Sequence, residues 1–251
     1  MTYQVYAGGI NAVDATMDIV YPETGNYHIM FKAKTRGFLA KLAPWWGSFE
    51  SNGWRMDDKE DRPQVHKSVS SWREEKDVSE YKYKRDGGFD SFKITEAGKD
   101  KTPKKLDQEL VEGTTDALTA TLQVMQSVAE GNECAGESEV FDGKRRFALV
   151  YNDDGSEALT STGYNIFEGT AEKCTVEVRP VAGRWHEKPR GWMSIQEQGR
   201  EKGLLPTVWM AKMNDTGPAV PVKVRVKTDY GTLFMHLVKY QNGDRMISLD
   251  D

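Results

Sequence analysis

The chain has 251 residues, 38% of them hydrophobic and 29% charged, with a formal net charge of −5. That length suits one large β domain or two modest ones, and 26 aromatic residues supply enough burial to argue against a disordered chain. Acidic residues outnumber basic ones by 39 to 34, which argues against a general nucleic-acid binder. No apolar run reaches the roughly 18 residues of a membrane-spanning helix.

Strand-like patterning begins almost at the first residue. Residues 3–10, 12–21 and 27–35 alternate or carry β-branched and aromatic side chains, separated by Gly-Gly and Glu-Thr-Gly-Asn. Residues 47–55 continue the series. A meander follows over 65–72, 78–85 and 89–95, with Arg85-Asp86-Gly87-Gly88 as a hairpin signal. Further strands are expected over 139–151, 159–167, 171–181, 185–197, 207–213, 220–228 and 232–240. Val222, Val224 and Val226 should face one way, and Lys223, Arg225 and Lys227 the other. About a dozen closely spaced strands indicate a sandwich, a barrel or a strongly curved sheet.

One segment has helical period instead. Residues 115–130 predict a helix with Thr114 or Thr115 at its N-cap, Asp116 in the first turn and Gly131 at its end. Residues 117–129 contain no charge. Leu118, Leu122, Met125 and Ala129 share a face, and Thr119, Gln123, Gln126 and Ser127 form a polar but uncharged stripe. A surface helix would carry Lys and Glu there, so this one is expected to lie enclosed by a curved sheet; packing on one face of a sandwich is the alternative. The chain shows neither an internal repeat nor an obvious linker, so one β-rich domain over 1–251 is expected.

Signals for chemistry are sparse. His28, His66, His186 and His236 have no metal-type spacing, and neither a nucleophile elbow nor a phosphate-binding glycine loop occurs. Residues 57–61 read as a charged turn without the glycine and terminal Glu of a calcium loop. No catalytic residue, metal or cofactor is expected. Cys134 and Cys174 are either small buried thiols or one disulfide, depending on the compartment. The absence of a signal segment fits either a cytosolic protein or an exported one whose signal has been removed.

Two segments stand out. Residues 37–47 crowd Phe38, Leu39, Leu42, Trp45 and Trp46 beside Pro44 and two glycines. They form either a core-closing loop or an apolar lip that admits an acyl chain or touches a membrane. Residues 183–192 interleave Arg184, Lys188 and Arg190 with Trp185 and Trp192. They make either a strand edge covered by long side chains or a contact for an anion or a partner.

Several stretches in order carry a resemblance: Tyr3-Gln4-Val5-Tyr6-Ala7-Gly8-Gly9-Ile10, Gly113-Thr114-Thr115-Asp116-Ala117-Leu118, Val140-Phe141-Asp142-Gly143-Lys144-Arg145-Arg146-Phe147, and Leu205-Pro206-Thr207 before a hairpin. Together they resemble the bacterial envelope family called domain of unknown function 3108, in its alphaproteobacterial branch. The resemblance implies a periplasmic protein cut just before Tyr3, with Cys134 and Cys174 joined as a disulfide. It also implies a fold similar to the β-spiral of envelope-integrity protein B and the half-barrels of lipoprotein carriers, a long antiparallel sheet wrapped around a helix. It supplies no activity.

The expected function is therefore non-catalytic support of envelope integrity by binding a lipid or a hydrophobic protein segment. The apolar cleft would be lined by Phe38, Leu42, Trp45 and Trp46 at its lip and by Leu122 and Met125 from the helix. The protein would touch a membrane peripherally at most and bind no nucleic acid. An envelope scaffold using Arg184, Trp185, Arg190 and Trp192, and a hydrolase built from scattered residues, are the alternatives.

Overall fold

The computed structural model describes residues 1–22, 25–56, 60–183, 185, 196, 199, 203–228 and 231–249. Fifteen strands form a single antiparallel sheet. Its first half is β1 (Thr2–Ala7), β2 (Ile10–Val20), β3 (Asn26–Thr35), β4 (Trp45–Arg55), β5 (Asp61–Trp72), β6 (Glu75–Tyr83), β7 (Phe89–Glu96) and β8 (Lys99–Asp100). The second half is β9 (Gly136–Phe141), β10 (Arg145–Leu159), β11 (Gly169–Gly183), β12 (Thr207–Ala211), β13 (Val220–Thr228), β14 (Gly231–Asn242) and β15 (Arg245–Ser248). Each half is a meander, and β1 joins them by pairing with β14, which gives the order β8 to β1, then β14 to β9. The short β15 adds to β14 beyond the end of β1.

Among the described residues, α1 (Gly37–Leu42) lies between β3 and β4, and α2 (Ala117–Ala129), preceded by a short 3-10 turn at Gln108–Leu110, lies between the halves. The sheet wraps α2, which packs against β3, β4, β5, β9, β10 and β12. Six of its thirteen residues are buried, and Leu122 and Met125 are fully so. Its uncharged polar stripe bonds to the wall. The Gln123 side chain donates to the Asp61 carbonyl (2.9 Å), and the Gln126 amide donates to the Asp61 carboxylate (2.6 Å) and the Tyr21 hydroxyl (2.9 Å). Neutral donors serve where a lysine would need an ionic partner in a desolvated space.

The sheet does not close by hydrogen bonds. Its two ends meet through side chains, where Phe141 of β9 packs among Tyr81, Phe89 and Phe92 at centroid distances of 5.5, 5.5 and 6.0 Å. Tyr81 also donates to the Asp142 carbonyl at 2.8 Å, and Lys144 pairs with Glu96. Gly143 sits at φ +94°, and a Cβ there would come within 2.6 Å of the Tyr81 hydroxyl, so this crossing needs glycine.

Several expectations are corrected. The helix N-cap is Asp116, whose carboxylate accepts from the backbone of Leu118 and Thr119, not Thr114 or Thr115. Residues 139–151 are not one strand, because the Asp142–Gly143 hairpin divides them into β9 and β10, while β10 runs straight through the expected turn at Asn152–Gly155. Residues 160–168 form a loop instead of a strand. Asn165 accounts for it, donating to the Val222 carbonyl (3.0 Å) and accepting from Phe167 N–H (2.9 Å). Most of the strand expected over 185–197 lies outside the described residues.

Candidate functional site

Strand register determines which side chains share a face. Gln4, Asp14, Lys34 and Trp46 are cross-strand neighbours on β1 to β4, and Thr2, Thr16, Lys32 and Ser48 form the next row. Between these rows, Tyr3, Ala15, Ala33 and Gly47 point to the other face and are buried toward α2. The outer rows alternate short side chains with long ones. Thr2, Thr16 and Ser48 leave space that Lys32, Lys34, Arg36 and Trp46 surround, giving a groove of about 650 Å³. Its only carboxylate, Asp14, is paired with Arg36 at 3.1 Å. Lys32 and Lys34 make no ion pair among the described residues, so the groove carries uncompensated positive charge beside an indole.

At its rim the chain leaves β3 through Gly37 (φ +57°) and forms α1. Thr35 fastens both ends of this excursion, since its hydroxyl accepts from Trp45 N–H (3.0 Å) and donates toward the Ala43 carbonyl (3.1 Å). The Arg73 backbone N–H donates to the Pro44 carbonyl (3.1 Å), which ties in the β5–β6 turn. None of the α1 side chains is buried. Phe38 is 71% exposed, Leu42 56% and Trp46 41%, while Trp45 is half-buried against the core. Leu122 and Met125 stand on the opposite side of the sheet in packed clusters, away from the groove. The lip residues and the helix residues expected to share one cleft are thus divided by the sheet itself.

The remaining expected residues fall as follows. Cys134 and Cys174 are fully buried and bonded to each other, with their Cα atoms 5.5 Å apart. Arg184, Arg190 and Trp192 lie outside the described residues. Trp185 donates from its indole to the Ala182 carbonyl (3.1 Å), and the guanidinium above its ring, at 4.8 Å, belongs to Arg145 of β10.

A buried polar cluster escaped sequence reasoning. Asp116 is 1% exposed and accepts from Ser51 (2.7 Å) and Thr119 (2.6 Å), with His66 Nδ1 3.3 Å away. Tyr27 shares a bond with Thr119 at 2.6 Å. Burial pushes the Asp116 carboxyl up, but His66, Ser51 and Thr119 outweigh it and hold the carboxyl at about 2. Ser51, His66 and Asp116 have the composition of a hydrolytic triad without its geometry. In a triad the imidazole stands between the other two and uses both ring nitrogens. Here Ser51 Oγ (2.8 Å) and Asp116 both face His66 Nδ1, the serine donates to the carboxylate, and Ser51 is wholly buried. The cluster can anchor the start of α2 to β4 and β5. Among the described residues no His, Cys, Asp or Glu group is placed to hold a metal ion, and no helix is long and apolar enough to cross a membrane.

The groove had a readable signal, the alternation Lys32-Ala33-Lys34-Thr35-Arg36, which puts three cations on one strand face. The Ser51–His66–Asp116 cluster had none, because the register of β4 against β5 pairs Ser51 with His66 and the docking of α2 on those strands adds Asp116.

Residues 2–238 match the model of the family described as protein of unknown function (DUF3108), and the chain belongs to that family. No curated protein matches. Among solved structures, the fold is similar to that of a beta-barrel-like protein of domain of unknown function DUF1849 from Brucella abortus, with a TM-score of 0.50 at 10% identity over 94% of each chain.

Proposed function

We propose that this DUF3108 protein works without catalysis in the bacterial periplasm, supporting the envelope by binding an amphipathic molecule with an anionic head in the outer groove of β1 to β4. The observation that carries this reading is that Lys32 and Lys34, which make no ion pair among the described residues, and the partly exposed Trp46 surround one groove. A carboxylate or phosphate suits the lysines, and a hydrocarbon tail suits the indole and the aliphatic lysine stems. The buried disulfide supports an oxidising compartment.

The test is titration of the full-length protein with a fluorescent fatty acid in the absence of membranes. Saturable binding is expected, with the probe recovered chemically unchanged. Lys34→Ala and Trp46→Ser should each weaken it about tenfold, the equivalent of roughly 1.4 kcal/mol, and leave the melting temperature nearly unchanged because both side chains are exposed. Equal affinity in all three proteins would overturn the assignment of the groove and move an envelope scaffold ahead of it.

A further inference from the structure

The α1 end of the sheet presents a second feature beside the groove, apolar side chains that the groove does not use although it shares their neighbouring cations. Phe38 and Leu42 belong to a six-residue helix with no buried side chain, and Trp72, exposed at the end of β5, is the cross-strand partner of Trp45 just beyond that helix. Arg73 links these parts physically. Its guanidinium donates to the Leu42 carbonyl (3.5 Å) and lies 5.9 Å from the Trp72 ring centroid. A helix this short has no independent stability, so the tethers at Thr35 and Arg73 hold apolar side chains outward that the fold itself leaves uncovered.

The charge around them is distinctive. Residues 32–46 hold four cations, Lys32, Lys34, Arg36 and Lys41, and no carboxylate, and Arg73 adds a fifth. Against them stand Asp14, which pairs with Arg36, and Glu74 and Glu75 of the β5–β6 hairpin, so this end keeps an excess of positive charge in a chain whose formal net charge is −5. We infer that this end of the molecule, with α1 at its tip, docks peripherally on an anionic lipid surface, inserting Phe38 and Leu42 among the headgroups with Lys41 and its neighbouring cations against the lipid phosphates. Exposed aromatic and aliphatic side chains ringed by Lys and Arg are the chemistry of interfacial binding. A second copy of the chain is a poorer occupant, since a two-fold contact about α1 would bring Lys41 and its neighbouring cations against their own counterparts. The inference does not require the groove to bind anything.

The test is flotation of the full-length protein with phosphatidylcholine vesicles, with and without phosphatidylglycerol. Binding is expected only with the anionic lipid and should fall as salt rises. Lys41→Ala should lower the partition coefficient about fivefold, the effect of one cation near such a surface, and Phe38→Ser/Leu42→Ser about tenfold or more, each with an unchanged melting temperature. Sedimentation velocity without lipid should show the same monomer for parent and variants. The proposal is overturned if the parent does not float, if the double variant floats as well as the parent, or if sedimentation shows a self-associated parent that Phe38→Ser/Leu42→Ser dissociates. The membrane-free fatty-acid titration is read separately, so loss of either result leaves the other standing.

Discussion

Two buried aspartates face α2, and their environments drive them in opposite directions. Asp61 opens β5 at 1% exposure, and one of its carboxylate oxygens has no hydrogen-bond partner among the described residues. Burial raises its carboxyl to about 6, only partly offset by the Gln126 bond and the Arg55 charge. Its folded value therefore lies above the ordinary 3.8, so its neutral form stabilises the fold. That contribution is fully present below about pH 4 and is lost as pH rises through about 6. Asp116 has the reverse sign, with its folded value depressed to about 2, so its stabilisation is present above about pH 4 and is lost as pH falls toward 2. Stability from this pair should peak near pH 4. Asp61→Asn keeps an acceptor for Gln126 and removes the charge. It should be more stable than the parent at pH 8 by on the order of 1–3 kcal/mol and should lose the parent's decline between pH 4 and 6. Denaturant melts across that range would show it, and a parent with no slope there would sink the assignment.

At the scale of elements, the composition of α2 was the most legible feature in the chain. A helix without a single charge over residues 117–129 has to be enclosed, and Gln123 and Gln126 find their partners at Asp61 of β5 and at Tyr21 just after β2. The strands were legible as alternating runs, but not all of their breaks were. Gly143 ends β9 at φ +94° in an Asp-Gly turn whose Asp142 carboxylate accepts from Lys144 and Arg145 N–H, a local hairpin signal of the same kind as Asp86-Gly87. Asn165 removes residues 160–168 from the sheet by bonding to β13, a long-range effect without such a signal. The groove was half legible for the same reason: alternation gave the face of Lys32, Lys34 and Arg36, whereas its distance from Leu122 depends on which side of the sheet α2 occupies. Leu122 tests that placement. It is fully buried with Tyr27 and Ile29, so Leu122→Asp would force an unpaired carboxylate among apolar side chains at a cost above about 4 kcal/mol. A Leu122→Asp protein as stable as the parent in urea would mean that α2 lies outside the sheet.

At the scale of the whole molecule, the two halves of the sheet are joined by a hydrogen-bond ladder between β1 and β14, while the chain itself passes from one half to the other through residues 101–135 and α2, and on that far side it is side chains that hold β6 and β7 to β9. The lead-in to α2 lies along β9, where Thr115 N–H donates to the Glu139 carbonyl (2.8 Å) and Phe141 N–H to the Thr115 carbonyl (3.2 Å). This occupies the edge of β9 and leaves the crossing to β6 and β7 to Phe141, Tyr81, Phe89 and Phe92. A line sealed by side-chain packing, the Tyr81 hydrogen bond and the Lys144–Glu96 ion pair, without a backbone ladder, is where a curved sheet should open first. Phe141 is 1% exposed at the centre of that line. Phe141→Ala should cost about 3–5 kcal/mol, or roughly 10 °C or more in melting temperature for a chain of this size. The loss should also be local, with backbone amides of β7 and β9 gaining hydrogen exchange well before those of β2 and β3, whose ladders continue on both sides. Hydrogen exchange read by mass spectrometry separates the outcomes. Exchange that rises together in β2, β3, β7 and β9 would mean that the sheet unfolds as one unit and that its open edge is no weaker than its paired one.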